Sequence, residues 1–306
     1  MKPSSFEYLA PARLDEALEM LARHSGEAKL LAGGQSLIPA MNFRLAAPAV
    51  LIDLNRIPGH DAVRSEDGRL VVEMLVRHSA LEDQAVADPL ARLMARMARL
   101  VGHLPIRVRG TFAGSIAHAD PAAEWCMLAA SLDATIVARS ATGERTIPAA
   151  DFFEGVFDTA LGDDEIVTEV HLPLLEGWST GFAEESRTAG DFATVATVAA
   201  LRIENGDIAD ARLGAAGAGS APVKLSSAVD ALRGAAPSAE SLARAGRAAA
   251  EEVEPVSDVL CSADYRRHLV EVLTVRSLEA ALKDAPRGRL GGTAEQTGRL
   301  GGTAER

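Results

Sequence analysis

The sequence predicts an α+β chain of three structured units and a tail, divided at 1–57, 58–176, 177–285 and 286–306. Three observations carry this reading. Strand, helix and two further strand signals succeed one another within the first 57 residues, the order of a small α/β unit with parallel pairing. Strand-like runs then alternate irregularly with helical periods up to residue 176, which suits an α+β unit on an antiparallel sheet. Past the polar break Glu176-Gly177-Trp178-Ser179, two strand-like runs flank Asn205-Gly206 and three helical segments follow. That is the pattern of a small antiparallel sheet covered by helices.

Residues 12–23 form the first expected helix, with Leu14, Ala17, Leu18 and Leu21 at helical spacing and Asp15, Glu16 and Glu19 between them. Lys29-Leu30-Leu31-Ala32 is a buried strand running into Gly33-Gly34, and Val50-Leu51-Ile52-Asp53-Leu54 is a second, closed by Pro58-Gly59. Residues 70–76 are strand-like, and Ser79-Ala80-Leu81-Glu82 has the spacing of a capping box opening a helix. A helical period follows over 90–101, then a buried helix over 122–130 for which Asp120 and Pro121 supply a cap and a first residue. Strands are expected at 134–139 and 166–172. A hairpin of 194–203 with 207–214 turns on Asn205-Gly206, a pair suited to a tight primed turn. Helices near 225–233, 238–252 and 262–284 complete the fold. In the tail, Gly288-Arg289-Leu290-Gly291-Gly292-Thr293-Ala294-Glu295 recurs at 298–305; two polar, glycine-rich copies cannot build a solenoid, so no catalytic content is expected there.

With 48% hydrophobic and 24% charged residues among 306, the chain has the composition of a soluble globular protein. No run approaches the roughly 20 apolar residues that span a bilayer, and the first residues lack an apolar signal core. Cys126 and Cys261 are the two cysteines, far apart and without a CxxC pair. A disulfide framework or a cysteine-ligated metal within this chain is excluded, and a reduced, cytoplasmic setting is the default. The net charge of −12, from 43 acids against 31 bases, disfavours nucleic acid and anionic membranes as partners. Aromatics at 4% are too few for a single-strand stacking platform.

Two segments carry candidate chemistry. Ala32-Gly33-Gly34-Gln35-Ser36-Leu37 is uncharged, and its paired glycines free the backbone to aim N–H groups at an anion such as a pyrophosphate. An ordinary strand-ending turn explains the same residues. There is no dinucleotide GxGxxG fingerprint and no GxxxxGK[ST] phosphate loop. The second segment, 106–124, follows Arg107 and Arg109 with a small-residue turn, Gly110-Thr111-Phe112-Ala113-Gly114-Ser115, and then His118, Asp120 and Glu124. The last three residues admit a metal site, a carboxylate pair for acid–base work, a simple helix cap at Asp120, or a carboxylate that binds ribose or ribityl hydroxyls.

Together these residues resemble the medium, FAD-binding subunit of the xanthine dehydrogenase/carbon monoxide dehydrogenase family of molybdenum hydroxylases, from about residue 3 to 284. The matching segments stand in the family's order at 30–44 (LLAGGQSLIPAMNFR), 102–124 (GHLPIRVRGTFAGSIAHADPAAE), 151–173 (DFFEGVFDTALGDDEIVTEVHLP), 190–193 (GDFA) and 263–269 (ADYRRHL). The resemblance implies that the first two units form one two-part FAD-binding domain, followed by a C-terminal flavoprotein domain. It implies that Leu30, Leu31, Ala32, Gly33, Gly34, Gln35, Ser36 and Leu37, with Gly110, Thr111, Ala113, Gly114 and Ser115, grip the FAD pyrophosphate through backbone N–H groups. Ala117, His118 and Glu124 are implied to line the flavin or ribityl region, Val167 to lie near the isoalloxazine or adenine, and Asp191 and Phe192 to approach the flavin. No residue is implied to be a catalytic acid, a nucleophile or a metal ligand.

The sequence departs from the family pattern in three places. Ala113 replaces a usual glycine, which costs little at negative φ but about 1 kcal/mol or more at positive φ. Glu73-Met74-Leu75-Val76 replaces a usual Gly-Ala-Leu-Thr, and Ala183 stands where relatives carry a polar or basic side chain. By the resemblance, a large molybdopterin subunit oxidises the substrate and a small subunit with two [2Fe–2S] clusters passes electrons to FAD in this chain. The flavin delivers them to NAD⁺, a quinone or another acceptor, the whole forming a dimer of heterotrimers. The alternatives are a self-sufficient flavin oxidase of the vanillyl-alcohol type and a non-catalytic nucleotide-binding assembly module.

Overall fold

The computed structural model describes residues 2–83 and 85–285; the repeated tail at 286–306 lies outside them. The N-terminal chain runs β1 (Glu7–Leu9), α1 (Leu14–Arg23), β2 (Ala28–Leu31), α2 (Leu37–Asn42) and β3 (Val50–Asp53). The three strands pair in the order β1-β3-β2, and both pairings are parallel, as the sequence predicts. Leu14, Ala17, Leu18 and Leu21 are buried, so α1 covers the sheet with the stripe read from their spacing. The short helix α2 is a feature the sequence reading did not anticipate.

The next region is built on β4 (Val63–Glu66) and β5 (Arg69–Glu73), then α3 (Pro89–Ala98), α4 (Leu104–Arg107), α5 (Phe112–His118) and α6 (Glu124–Ser131). It continues with β6 (Thr135–Ser140), β7 (Gly143–Pro148), α7 (Ala149–Phe152), β8 (Phe153–Gly155), β9 (Asp158–Thr159) and β10 (Ile166–Pro173). One antiparallel sheet has the order β4-β5-β10-β6-β7, while β8 and β9 form a separate two-stranded ribbon. The central β10 is buried along most of its length, because helices cover the sheet.

Two local expectations fail here. The capping box at Ser79 does not form; residues His78–Leu81 make only a single 3-10 turn without a side-chain cap. The reason is tertiary. His78 N–H donates to Gly110 O (3.0 Å) and Phe112 N–H to Val76 O (2.9 Å), so this chain is committed to a bridge with the 110–112 segment. Asp120 does not cap a helix beginning at Pro121. It accepts from Ala122 N–H (2.9 Å) in a tight turn, and α6 starts three residues later at Glu124. Pro121 O is held by Gly217 N–H (2.8 Å), which keeps that turn from winding into the helix.

The C-terminal region contains β11 (Ser179–Glu185), β12 (Val195–Glu204), β13 (Asp207–Ala216), β14 (Val223–Lys224), α8 (Ser226–Leu232), α9 (Ala239–Glu252) and α10 (Ala263–Asp284). Its antiparallel sheet follows chain order, and Asn205 (φ 53°) with Gly206 (φ 92°) makes the hairpin turn that the sequence signals. Strand β12 is buried on both faces. Ala196, Val198 and Ala200 join the core beneath β5 and β10, whereas Val195, Ala199 and Leu201 join a second core under α8, α9 and α10. Ser238 and Ser262 cap α9 and α10 with their hydroxyls. Among the described residues no helix is long and apolar enough to cross a membrane.

Candidate cofactor site

The first candidate segment lies at the carboxyl end of the small parallel sheet, where ligands of open α/β units bind. Strand β2 ends at Leu31, and the chain turns through residues 32–36 with Gly34 at φ 71° before entering α2. Within the described residues, the N–H groups of Gly33, Gly34, Gln35 and Ser36 donate to no acceptor in the chain. The carbonyl side, by contrast, is tied down. Gln35 Nε2 donates to Gly33 O (3.0 Å), and Asn55 Nδ2 donates to Ala32 O (2.9 Å). Four consecutive free amides beside anchored carbonyls make a cradle for an anion.

A Cβ on Gly33 would sit 2.5 Å from Gly110 Cα and 2.6 Å from Arg109 O. The two candidate segments are therefore packed back to back. A polar bolt completes the junction: Arg77 Nη2 donates to Asn55 Oδ1 (2.5 Å), and Arg77 Nη1 donates to Arg109 O. Burial and the neighbouring Arg109 both lower the Arg77 pKa. Asp53 beneath them is held below its usual value; burial opposes this, but hydrogen bonds from Tyr8 and Asn55 prevail. These groups enclose a cleft of about 640 Å³, lined by Leu31, Ala32, Gly33, Gly34, Gln35, Ile38, Pro39, Asn42, Asp53, Asn55, Arg77, Val108 and Arg109. A volume of this order holds a nucleotide-sized ligand.

The second segment is not the open loop expected from sequence. Thr111 is the N-cap of α5: its Oγ1 accepts from Gly114 N–H (3.1 Å) and its carbonyl from Ser115 N–H (3.1 Å). The amides of Gly114 and Ser115 are thus spent inside the helix, leaving those of Thr111 and Ala113 without an acceptor in the chain. Ala113 lies within α5, outside the positive-φ residues, so the strain that a positive φ would impose does not arise. Met74 and Val76 are core residues, 2% and 0% exposed.

Beyond α5, Ala117 is exposed and His118 is half-buried, its ring stacked on Phe157 at 4.8 Å; burial lowers its pKa. Glu124, at the start of α6, is 4% exposed, and burial pushes its carboxyl up to about 7. These residues surround no metal constellation: among the described residues no group of three or more His, Cys, Asp or Glu side chains could hold an ion. Val167 is a core residue of β10, 5% exposed and paired with Ala138, and is not part of the cleft wall. Asp191 and Phe192 lie on the connection between β11 and β12, with Phe192 61% exposed. Gly190 packs that connection against the His103 ring.

Sequence reasoning missed Ile38, Pro39, Asn42, Asp53, Asn55, Arg77, Val108 and Arg109 as cleft residues. The available signal was positional: Asp53 and Asn55 follow β3 at the same sheet edge as the glycine loop. It also missed His78. That ring is 6% exposed and accepts from Trp125 Nε1 (3.1 Å) at Nδ1, and burial with Arg77 and Arg107 lowers its pKa to about 4. A neutral, fixed imidazole thereby supports Gly110 from behind.

The family model for the FAD binding domain in molybdopterin dehydrogenase matches residues 4–175, and that for the CO dehydrogenase flavoprotein C-terminal domain matches 181–281. The 6-hydroxypseudooxynicotine dehydrogenase complex subunit alpha of Paenarthrobacter nicotinovorans is 35% identical over 93% of this chain and 97% of its own. The nicotine 6-hydroxylase medium subunit of the same organism is 34% identical, covering 92% of this chain and 99% of its own. Among solved structures, a chain of the carbon monoxide dehydrogenase from Hydrogenophaga pseudoflava, in a form lacking the Mo-pyranopterin moiety of its molybdenum cofactor, superposes with a TM-score of 0.89. It is 33% identical, and the match covers 94% of this chain and all (100%) of that one. The chain belongs to the FAD-binding medium-subunit family of the molybdenum hydroxylases, and its cofactor is FAD.

Proposed function

We propose that this chain is the electron-transfer subunit of a cytoplasmic heterotrimeric molybdenum hydroxylase, arranged as a dimer of heterotrimers. A large subunit with molybdopterin oxidises the substrate, and a small subunit with two [2Fe–2S] clusters feeds electrons to this chain. They leave for NAD⁺, a quinone or another acceptor. The observation that supports the reading is the row of four free amides at Gly33–Ser36, backed by Gly110 and bolted by Asn55 and Arg77.

In this reading the 33–36 amides hold the pyrophosphate, with Arg77 and Arg109 supplying the positive charge that an acidic protein otherwise lacks there. Leu30, Leu31 and Leu37 flank that cradle, while Thr111, Ala113, Gly114 and Ser115 build the wall behind it. Ala117, His118 and Glu124 face the ribityl–flavin half, and Asp191 and Phe192 cover it. Val167 contributes from the core, as backing for that wall. Bound FAD supplies a centre that exchanges electrons singly or in pairs. The chain's own residues bind it, orient it and limit its contact with water.

Isolation of the native complex tests the proposal. Metal and flavin analysis is expected to give about one molybdenum and one FAD for every two [2Fe–2S] clusters. A solitary chain that oxidises an organic substrate by itself contradicts it and favours the oxidase reading.

A further inference from the structure

The glycine-loop amides owe their direction to a side chain on the neighbouring strand. Strand β3 ends at Asp53, whose carboxylate accepts from Asn55 N–H (2.9 Å) and caps a 3-10 turn over Leu54–Arg56. That turn carries Asn55 to the end of β2, beside the residues that lead into the loop. Its Nδ2 donates to Ala32 O (2.9 Å) and Asp53 Oδ1 (2.5 Å), with Leu31 O at 3.4 Å. Its Oδ1 accepts from Arg77 Nη2 (2.5 Å), while Arg77 Nη1 donates to Arg109 O. Asp53 Oδ2 accepts in turn from the Tyr8 hydroxyl (2.5 Å), which holds the carboxylate in place.

These partners admit one orientation of the Asn55 amide. The carbonyls of Leu31 and Ala32 and the Asp53 carboxylate need a donor, whereas the guanidinium needs an acceptor. Asparagine supplies both; its isosteres aspartate and leucine do not. The consequence reaches the loop through peptide geometry. In a planar trans peptide, the C=O of one residue and the N–H of the next point in opposite directions. Holding Ala32 O against Asn55 therefore turns Gly33 N–H to the other side, where no acceptor among the described residues meets it. Gln35 Nε2, bound to Gly33 O, does the same for Gly34 N–H.

We propose that Asn55 is the positioning residue of the FAD cradle, turning the Gly33 N–H outward through Ala32 O and holding the Arg77 guanidinium for the same pyrophosphate. The assignment rests on the reading of the cleft as the FAD site and deepens it. Asn55 follows β3 of the parallel sheet and Arg77 follows β5 of the antiparallel one, so this contact also fixes the spacing between the two halves of the FAD-binding region.

The test exchanges donor for acceptor at constant shape. The full chain, stripped of flavin, is titrated with FAD at about pH 8 and about pH 6, each variant against the unmodified chain at the same pH. In Asn55→Asp a second carboxylate faces Asp53 and the Ala32 carbonyl, and FAD is expected to bind about tenfold or more weaker at the higher pH. The charged groups around that position are Tyr8, Asp53, Arg56, Asp61, Arg77 and Arg109. Carboxyls in hydrogen-bond contact share a proton, and the opposing pull of Arg56 and Arg109 is weakened by their exposure. The pair therefore takes up a proton as pH falls, the side chain donates again, and the loss should shrink to within about threefold at the lower pH. Asn55→Leu, which does not titrate, should lose a similar factor at both. Full FAD affinity of the Asp variant at the higher pH overturns the proposal, as does a loss equal at both pH values. Retained FAD in Gly33→Val overturns the cleft reading itself, and this assignment with it.

Discussion

Replacing Gly33 by valine is expected to abolish FAD retention while the chain stays folded. The atom that matters is Cβ, which would come within 2.5 Å of Gly110 Cα and 2.6 Å of Arg109 O. Both are backbone atoms, so no rotamer relieves the clash, and the two segments must separate. Separation breaks the Arg77 bridge to Asn55 and Arg109, and with it the anchoring of the Ala32 carbonyl. Overpacking of this kind costs about 3 kcal/mol, roughly a hundredfold in affinity. Gly33→Ala should already show most of the loss. The same strain falls on the flavin-free chain, but Gly33 is outside both cores, so its melting temperature should drop by several degrees while unfolding stays cooperative. Stoichiometric FAD in the valine variant would sink the loop assignment.

Arg266→Met is expected to lower the unfolding free energy by about 2–4 kcal/mol. Arg266 projects from α10 and is 7% exposed, donating to Thr194 O, to Gly217 O (3.1 Å) and to Asp258 Oδ2 (2.6 Å). Methionine fills similar space but leaves the Thr194 and Gly217 carbonyls without this donor. Both residues border functional segments: Thr194 ends the connection that carries Phe192, and Gly217 holds Pro121 just before Glu124. The loss should therefore appear also as faster hydrogen exchange across 186–194. Arg266→Lys, with one compact cation in place of a fork, should recover only part of it. A Met variant within about 0.5 kcal/mol of the unmodified chain in urea denaturation would contradict this account.

The parts of the fold legible in the sequence were those written in local chemistry. Leu14, Ala17, Leu18 and Leu21 gave α1 by spacing, Asn205-Gly206 gave the hairpin, and the short apolar runs at β2 and β3 gave the parallel sheet, although Leu30 and Leu31 of β2 are only half-buried. Illegible features came from contacts distant in sequence. Ser79 has the spacing of a capping box, yet the 110–112 segment claims the backbone on either side of Arg77. The 111–115 segment reads as a glycine loop beside other glycine loops, but the Thr111 hydroxyl turns it into a capped helix. Arg77 and Asn55 look like ordinary surface residues until the fold brings them 2.5 Å apart.

The central claim is that this chain holds FAD by the backbone of Gly33, Gly34, Gln35 and Ser36. A crystal structure of the chain with FAD tests it most directly. Pyrophosphate oxygens are expected to accept hydrogen bonds from those four amides, with the ribityl chain running toward Glu124. A flavin bound elsewhere, leaving the four amides without a ligand, would contradict it.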